Sequence, residues 1–289
     1  MPREMTVVEI GDREIGLRRA GSGPALLCLH GFPQTSACWE PLASRLEDRF
    51  TVLMPDLPGF GASDPAASAD ARAVADTMAA LLDALELDRV TVVGHDFGGA
   101  IAWSLGLAHP DRLDGLVVVN SPLRRLDLRH GWHMLALNLP VVPELAFSLA
   151  GGPLVEAMIR RCTTVPDAIP EEAMQEYRSA FRTIEAQRNA FAYYRTVTRA
   201  YLRHAARRSI PSFVPFIGRP SAPSREQRKV EVPTMVVWGA ADPVLPVHLT
   251  DDLDRHISDL RLELLDGIGH FVPEEAPDAL ASLVADFAR

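Results

Sequence analysis

The stretch Val92–Gly99, VVGHDFGG, decides the fold of this chain. Apolar strand residues run directly into a helical pattern through a turn in which Gly94 and Gly98 flank Asp96. A turn this tight is strained and needs small neighbours, as in the G-x-S-x-G nucleophile elbow. Because a carboxylate is already ionised, it can attack carbon without a base to deprotonate it. We predict that Asp96 is a covalent nucleophile, with a solvated acid in a Gly-Asp turn as the alternative.

Two further polar residues, Asp242 and His270, each come directly after a predicted strand. The carboxyl ends of parallel strands meet at one edge of a sheet, where ligand crevices form. With Asp96, they give the chain order nucleophile, acid, histidine that accompanies the elbow. We predict that Asp242 fixes the tautomer of His270 and that His270 activates water. One such residue alone is usually structural, whereas the ordered set indicates a catalytic site.

The loop His30–Pro33, HGFP, follows the apolar run Ala25–Leu29. In the elbow architecture, one oxyanion N–H comes from the residue after the nucleophile and the second from this loop. We therefore predict the backbone N–H groups of Phe32 and Phe97 as oxyanion donors. A simple turn remains the alternative for the loop. His95 occupies a variable position of the elbow, and the sequence assigns it no role.

The rest of the chain alternates between short apolar runs and helical patterns, which predicts an α/β fold with a mostly parallel eight-stranded sheet and helices on both faces. Strands are predicted at Met5–Ile10, Glu14–Arg19, Ala25–Leu29, Thr51–Met54, Val90–Val93, Leu116–Val119, Thr234–Val237 and Arg261–Leu265, and core helices at Ala37–Glu47, Ala69–Leu85, Phe97–Ala108, Pro246–His256 and Pro273–Ala288. Residues 121–228 lack a β run and carry helical patterns such as Glu171–Arg182 and Arg188–Ala205. We predict a core of residues 1–120 and 229–289 with a helical insertion at 121–228.

Charge and composition restrict the classes of partner. The net charge of −9 argues against nucleic-acid binding, although residues 121–228 hold 16 arginines and 9 acidic residues. That basic stripe could attract an anionic substrate or an acidic carrier protein, but more often it is a solvated helix face. Three cysteines without a CxxC pair suggest reduced thiols and a cytoplasmic location. No membrane span is expected.

Three motifs carry a family resemblance: HGFPQTSACW from His30, DLPGFGASDP from Asp56 and GHDFGGAIAW from Gly94. They resemble the α/β-hydrolase superfamily over essentially the whole chain, and within it the subgroup with an aspartate nucleophile. That subgroup holds epoxide hydrolases, haloalkane dehalogenases and haloacetate dehalogenases. The resemblance implies that the insertion is a cap over the site. It also implies an ester on Asp96 that His270-activated water hydrolyses, with no cofactor and no metal.

The chain departs from both dehalogenase patterns. The haloalkane enzymes it resembles place Trp after the nucleophile and Asn or Trp in the HGxP-type loop, where this chain has Phe97 and Phe32. The haloacetate enzymes place Arg after the nucleophile and again three residues later, where this chain has Phe97 and Ala100. Their cap carries a His-Trp pair, which matches His133 and Met134 here. The donors that hold a halide or a carboxylate are therefore missing.

Epoxide hydrolases instead hold the ring oxygen with two cap donors, usually two tyrosines and sometimes His and Tyr. The segment Asn189–Arg195 resembles the cap motif that ends in Tyr-Arg, so Tyr194 is the matching tyrosine. Trp132, His133 and Met134 resemble the other cap motif, with His133 at the donor position. Both candidate donors have a packing role as their alternative. We expect Trp132, Met134 and Phe32 to contact the substrate.

The sequence thus predicts an epoxide hydrolase that forms a vicinal diol and acts on a small-molecule epoxide. A dehalogenase with the same nucleophile and a non-catalytic binding protein on the same scaffold stay open as alternatives. Free halide, diol or the absence of a covalent adduct would separate the three. The sequence leaves the oligomeric state open, with a homodimer as the alternative to a monomer.

Overall fold

A central sheet of eight strands organises the molecule, for which the computed structural model describes residues 3–125, 127, 130, 136–139, 141–209 and 229–288. The strands are β1 (Met5–Ile10), β2 (Arg13–Ala20), β3 (Ala25–Leu29), β4 (Thr51–Pro55), β5 (Val90–His95), β6 (Leu113–Val119), β7 (Thr234–Gly239) and β8 (Leu260–Leu265). Their order across the sheet is β1-β2-β4-β3-β5-β6-β7-β8. The pairs β1–β2 and β2–β4 are antiparallel, and every other pair is parallel.

Two groups of helices cover the sheet, and three further helices follow β6 in the chain. They are α1 (Glu40–Leu46), α2 (Ala71–Ala84), α3 (Phe97–Ala108), α4 (Val142–Cys162), α5 (Glu171–Ala180), α6 (Ile184–Ser209), α7 (Val272–Glu275) and α8 (Pro277–Phe287). Helix α1 packs against α7 and α8, while α2 packs against α3. The predicted fold class, a mostly parallel sheet with helices on both faces, is confirmed.

The central strands consist mostly of apolar residues because both faces of the sheet are covered. Every residue of β4, β5 and β7 is buried. The edge strand β8 instead alternates between exposed and half-buried residues, with Leu262 and Leu264 partly open to solvent. The strands that carry the elbow and the acid therefore lie in the rigid centre of the molecule, and a rigid centre can hold reacting groups at fixed distances.

The predicted helix Pro246–His256 is wrong. The structure has two short 3₁₀ turns there, Val247–Thr250 and Leu253–Arg255. Asp252 between them adopts φ −126° and ψ 15°, which interrupts the helical backbone. The predicted helix Ala37–Glu47 likewise begins as a 3₁₀ turn before α1 takes over. In both places the apolar residues follow a helical period, but the backbone breaks within it.

The described part of the segment between β6 and β7 contains three helices in succession, α4, α5 and α6. By length and composition α4 could cross a membrane, which the sequence analysis did not expect. Its backbone, however, leaves helical geometry at Gly151, with φ 40° and ψ −120°, and Pro153 follows. Four of its side chains are buried in the protein, whereas Leu145 and Leu149 are exposed; the buried ones are Pro143, Phe147, Val155 and Ile159.

Candidate active site

Asp96 lies at the turn from β5 into α3, with φ 49° and ψ −114°. This backbone conformation is rare for a residue with a side chain and costs of order 1–3 kcal/mol. A Cβ on Gly94 would collide with the Gly98 carbonyl, and one on Gly98 with the Leu29 carbonyl. Both glycines are therefore required by space, as the elbow motif predicts. The turn lifts the Asp96 side chain out of the sheet at the start of α3.

The loop His30–Pro33 lies directly against this elbow. The Gly98 N–H donates to the His30 carbonyl at 3.0 Å, and the Phe32 N–H donates to Asp96 Oδ1 at 3.1 Å. A side chain on Gly31 would collide with Asp96. Phe32 thus occupies the position predicted for an oxyanion donor. Phe97 lies at the first turn of α3, and its role as the second donor stays a prediction.

The imidazole of His270 lies between two carboxylates. Its Nδ1 is 2.7 Å from Asp242 Oδ2, and its Nε2 is 3.6 Å from Asp96 Oδ2. The backbone N–H of His270 donates to the Cys162 carbonyl at 3.0 Å, at the end of α4. The three predicted triad residues therefore meet at one edge of the sheet. Because Nδ1 faces a carboxylate, Nε2 is the nitrogen that is available to a water molecule near Asp96.

Asp242 is held by more partners than His270 alone. Its Oδ1 accepts hydrogen bonds from the N–H groups of Val244, at 2.7 Å, and Leu245, at 2.9 Å. Its Oδ2 accepts a hydrogen bond from Asn120 Nδ2 at 2.5 Å. A carboxylate with this many donors is fixed in both orientation and charge.

Asn120 is a site residue that the sequence analysis missed. It is fully buried at the end of β6, with φ 42°, and its Oδ1 accepts a hydrogen bond from the Gly239 N–H at 3.0 Å. Asn tolerates positive φ better than most residues, which suits this turn. Its position at the end of the apolar run Leu116–Val119 was the available signal. It adds the carboxyl end of β6 to those of β5, β7 and β8 in the site.

The charges of the triad support one another. Burial alone would raise the pKa of Asp96, but the contact and charge of His270 and the Phe32 N–H outweigh it and lower that pKa. Burial likewise opposes a charge on His270, yet Asp242 and Asp96 outweigh it and hold the pKa of His270 well above its usual value. Asp96 is therefore ionised at neutral pH. The imidazole of His270, between the two carboxylates, is protonated on both nitrogens and carries a positive charge.

A cavity of about 1180 Å³ opens in front of Asp96 and is walled mostly by apolar side chains. Asp96, His270, Phe32, Phe97 and Tyr194 all line it. The Tyr194 ring packs edge-on against the rings of Phe97, at 4.8 Å between centroids, and Phe32, at 5.0 Å. The predicted donor and the predicted nucleophile thus share one cavity, and the phenol's pKa is raised by burial and by Asp96.

The neighbouring Tyr193 has a different environment. Its hydroxyl donates to the Pro58 carbonyl at 2.9 Å, and its ring stacks on Phe97. Consecutive residues on a helix point about 100° apart, so one tyrosine faces the cavity and the other the core. Trp132, His133 and Met134, the other predicted cap residues, lie outside the described residues.

Glu275 is a second residue that the sequence analysis missed. Its carboxylate accepts five hydrogen bonds: from the Gly269 and Phe271 N–H groups, from the Thr164 N–H and hydroxyl, and from the Val165 N–H. Two of these donors flank His270, and three follow the end of α4. Glu275 therefore joins the histidine loop to the helical insertion.

No group of three or more His, Cys, Asp or Glu side chains is arranged to hold a metal ion in the described ranges. The site is instead built from a carboxylate, an imidazole, a second carboxylate and a phenol. This set can perform nucleophilic attack followed by general-base hydrolysis.

A family model of the alpha/beta hydrolase fold matches residues 24–277 of the chain. Among relatives, the chain is 28% identical to a fluoroacetate dehalogenase of Burkholderia sp, over 98% of this chain and 93% of that protein. It is 24% identical to epoxide hydrolase 3 of Mus musculus, over 90% of this chain and 69% of that protein.

A crystal structure of a protein from Nostoc sp PCC 7120 is similar in fold, with a TM-score of 0.85. It is 26% identical and covers 98% of this chain and 97% of its own. The relatives therefore include both an epoxide hydrolase and a dehalogenase at comparable identity. Overall similarity does not distinguish the two chemistries, so the side chains around Asp96 must decide between them.

Proposed function

This chain belongs to the alpha/beta hydrolase family, and from the contents of its site we propose that it is an epoxide hydrolase that forms vicinal diols. The observation that carries the proposal is Tyr194, a phenol on the wall of the cavity that holds Asp96, packed against the donor-free rings of Phe32 and Phe97. We also propose that residues 121–228 form the cap of this cavity, because Phe147 of α4 and Tyr194 of α6 line it.

In the first step, Asp96 Oδ2 attacks a ring carbon of the epoxide. The new C–O ester bond forms as the ring C–O bond breaks, and the ring oxygen takes up the electron pair. Tyr194 supplies a proton to that oxygen, since the raised pKa of its phenol keeps it protonated at neutral pH. The product of this step is a hydroxyalkyl ester of Asp96, and no leaving group departs.

In the second step, water attacks the ester carbon of Asp96. His270 Nε2 takes a proton from the water, while Asp242 holds the opposite side of the imidazole at 2.7 Å. Negative charge develops on Oδ1, where the Phe32 N–H already donates at 3.1 Å. Collapse breaks the bond between the ester carbon and Oδ2, and the diol leaves after taking the proton from His270. The second water proton, which stays on the Asp96 carboxyl, then passes to His270 and restores the resting site. One oxygen of the Asp96 carboxylate then comes from water.

The charge of Asp96 couples the two steps. In the resting site, Asp242 and Asp96 together raise the pKa of His270. Esterification removes the negative charge of Asp96, and with it one of the two carboxylates that hold the imidazolium proton. The pKa of His270 should therefore fall once the ester has formed. The proton that the imidazole then loses restores the Tyr194 phenol, which ring opening left deprotonated, and His270 becomes a base when a base is needed.

Incubation of the His270→Gln variant, in which the ester is expected to persist, with a panel of epoxides and haloalkanes, followed by intact-protein and peptide mass measurement, tests the proposal. An epoxide adduct adds the whole mass of the substrate to Asp96, because ring opening expels nothing. A haloalkane adduct lacks the halogen, and a binding protein forms neither. A halogen-free adduct with haloalkanes only would favour the dehalogenase alternative.

Tyr194→Phe should slow ester formation by roughly 10²–10³-fold, about 2.7–4 kcal/mol, because it removes a donor to a charge that develops in a water-poor cavity. Hydrolysis of the ester should change less, since the ring oxygen is already a hydroxyl by then. Single-turnover kinetics that separate the two steps are the measurement.

Tyr193→Phe is the matched control for this change. It removes the same atom from the adjacent residue, where the hydroxyl donates to the Pro58 carbonyl. It should cost some stability but leave the rate of ester formation close to that of the unmodified protein. Equal rates for Tyr194→Phe and the unmodified protein would reduce Tyr194 to a packing residue.

Halogenated substrates should react at least about 10²-fold more slowly than a good epoxide, since a halide leaving group needs hydrogen-bond donors that Phe32 and Phe97 do not provide. The indole N–H of Trp103, also on the cavity wall, already donates to the Ser121 carbonyl at 3.1 Å. The measurement compares free halide, from haloalkanes and from fluoroacetate, with diol release from epoxides. Comparable rates would overturn this ranking.

A further inference from the structure

A series of buried hydrogen bonds lies behind His270, and neither proposed chemical step uses it. His95 Nε2 is 2.9 Å from the His270 carbonyl, and His95 Nδ1 is 3.0 Å from Gln34 Oε1. Gln34 Nε2 is 2.6 Å from Glu274 Oε2, and the Tyr177 hydroxyl donates to Glu274 Oε1 at 2.8 Å. All four side chains, those of His95, Gln34, Glu274 and Tyr177, are buried. This series of hydrogen bonds links α5 of the insertion to the loop that carries His270.

Every donor in this series of hydrogen bonds can be matched to an acceptor only if the series holds one extra proton. The His270 carbonyl can only accept, so His95 Nε2 must carry a hydrogen. If His95 is neutral, its Nδ1 accepts from the Gln34 NH₂ group, and Gln34 Oε1 then faces Glu274 and needs a protonated carboxyl. If Glu274 is ionised, Gln34 donates to it, and His95 must be a cation that donates to Gln34 Oε1. Each arrangement holds the same single proton.

The environment favours the neutral arrangement. A buried imidazolium and a buried carboxylate separated by an amide would both lose their hydration without direct contact. The imidazole of His270 lies 5.0 Å from that of His95 between ring centroids, and its positive charge disfavours a second cation. Burial, with the charge of His270, lowers the pKa of His95 to about 4, and burial raises the pKa of Glu274 to about 8.

The titratable groups that face the two ends are few among the described residues. Those acting on His95 are His270, Asp96 and Asp242, and those acting around Glu274 are Tyr177, Glu275 and Cys38. None of those around Glu274 is a cation that would compensate an ionised carboxylate.

We infer that Tyr177, Glu274, Gln34 and His95 form a positioning network that fixes the loop of His270, and that Glu274 carries its shared proton in the resting protein. The importance of this loop for catalysis rests on the proposed role of His270 as base. The shared proton itself is a property of the folded chain and does not depend on the substrate.

Glu274→Gln tests the shared proton. Its amide can accept from Tyr177 and donate to Gln34, as a protonated carboxyl does, so this variant should fold. A carboxyl with pKa about 8 in the folded state and about 4.5 in the unfolded state keeps its proton only while folded. The stability of the unmodified protein should therefore fall as pH rises from about 4.5 to about 8.

The measurement is thermal unfolding as a function of pH. The unmodified protein should release about one proton more on unfolding than Glu274→Gln in this range, so its melting temperature should fall more steeply with pH. If the melting temperatures of the two proteins change in parallel with pH, the network holds no shared proton.

The location of the proton is tested by nitrogen chemical shifts of the His95 ring. We expect a neutral imidazole protonated at Nε2 both in the unmodified protein and in Glu274→Gln. An imidazolium in the unmodified protein that becomes neutral in the variant would place the proton on His95 and overturn the assignment to Glu274.

Glu275→Gln is the matched control at the next residue, with the opposite expectation. Its carboxylate accepts five hydrogen bonds, so an amide NH₂ group would face donors and the folded protein should lose stability. Similar losses for the two variants would show that Glu274 does not carry the shared proton.

Glu274→Leu tests the positioning role. It leaves the Gln34 amide without its partner and should lower the rate of ester hydrolysis by roughly 10–10²-fold, as expected when a base shifts by a fraction of an ångström. Glu274→Gln should restore most of that rate. If both variants hydrolyse the ester at the unmodified rate, the network does not position His270. If the pH dependence of unfolding and the His95 chemical shifts agree with these expectations but no epoxide reacts, only the proposed function fails.

Discussion

Replacing Asp96 with alanine should abolish turnover, by roughly 10⁵–10⁶-fold, because no other group in the site can form the ester. The variant should form no covalent adduct with any epoxide. The measurements are diol release and the intact-protein mass after prolonged incubation. Turnover near the unmodified rate would mean that water attacks the epoxide directly.

A second substitution separates chemistry from folding at the same position. Asp96 has φ 49°, where alanine is strained but glycine is not. Asp96→Gly should therefore fold at least as stably as Asp96→Ala and be equally inactive. Asp114→Ala, which removes an exposed carboxylate paired with Arg89, serves as the control for loss of a surface charge. If glycine but not alanine supports turnover, backbone strain and not chemistry explains the loss.

His270→Gln should form the ester of Asp96 but fail to hydrolyse it. The first step needs only the Asp96 carboxylate and a donor to the ring oxygen, whereas the second needs a base to take a proton from water. General-base catalysis contributes about 10²–10⁴-fold, so the hydrolysis rate should fall by that order. The protein should accumulate with the full mass of one epoxide on the peptide that contains Asp96.

The control for this variant is His109→Gln. His109 lies at the end of α3, where it pairs with Asp76 at 2.7 Å outside the cavity. It should turn over normally and trap nothing. Steady turnover of His270→Gln without an adduct would contradict the two-step mechanism. Trapping on a residue other than Asp96 would reassign the nucleophile.

Local sequence patterns were sufficient to predict most of the fold and to predict that Asp96, Asp242 and His270 meet. Central strands are buried on both faces, so they form apolar runs that a single sequence reveals, and residues at their carboxyl ends must meet. The elbow is equally local, because its glycines and its aspartate are neighbours in the chain. Asp96, Asp242 and His270 could therefore be placed together before any coordinates.

Long-range contacts explain what the sequence could not reveal. Gln34 and Glu274 are 240 residues apart, and nothing in either local pattern indicates a hydrogen bond between them. Asn120 and Glu275 have structural roles that depend on donors and acceptors from other strands and loops. His95 was assigned no role because its partners come from two remote loops. The helix predicted at Pro246–His256 failed because apolar spacing does not reveal an interruption at Asp252.

The attachment of the insertion to the histidine loop has a consequence for engineering. The Cys162 carbonyl receives the His270 N–H, and Thr164 donates twice to Glu275. A chimera that exchanges the insertion with that of a relative, to import a new substrate preference, would also replace these supports of His270. Grafts that retain Cys162 to Val165 should transfer selectivity with little loss of rate, while grafts that discard this junction should lose rate for every substrate alike.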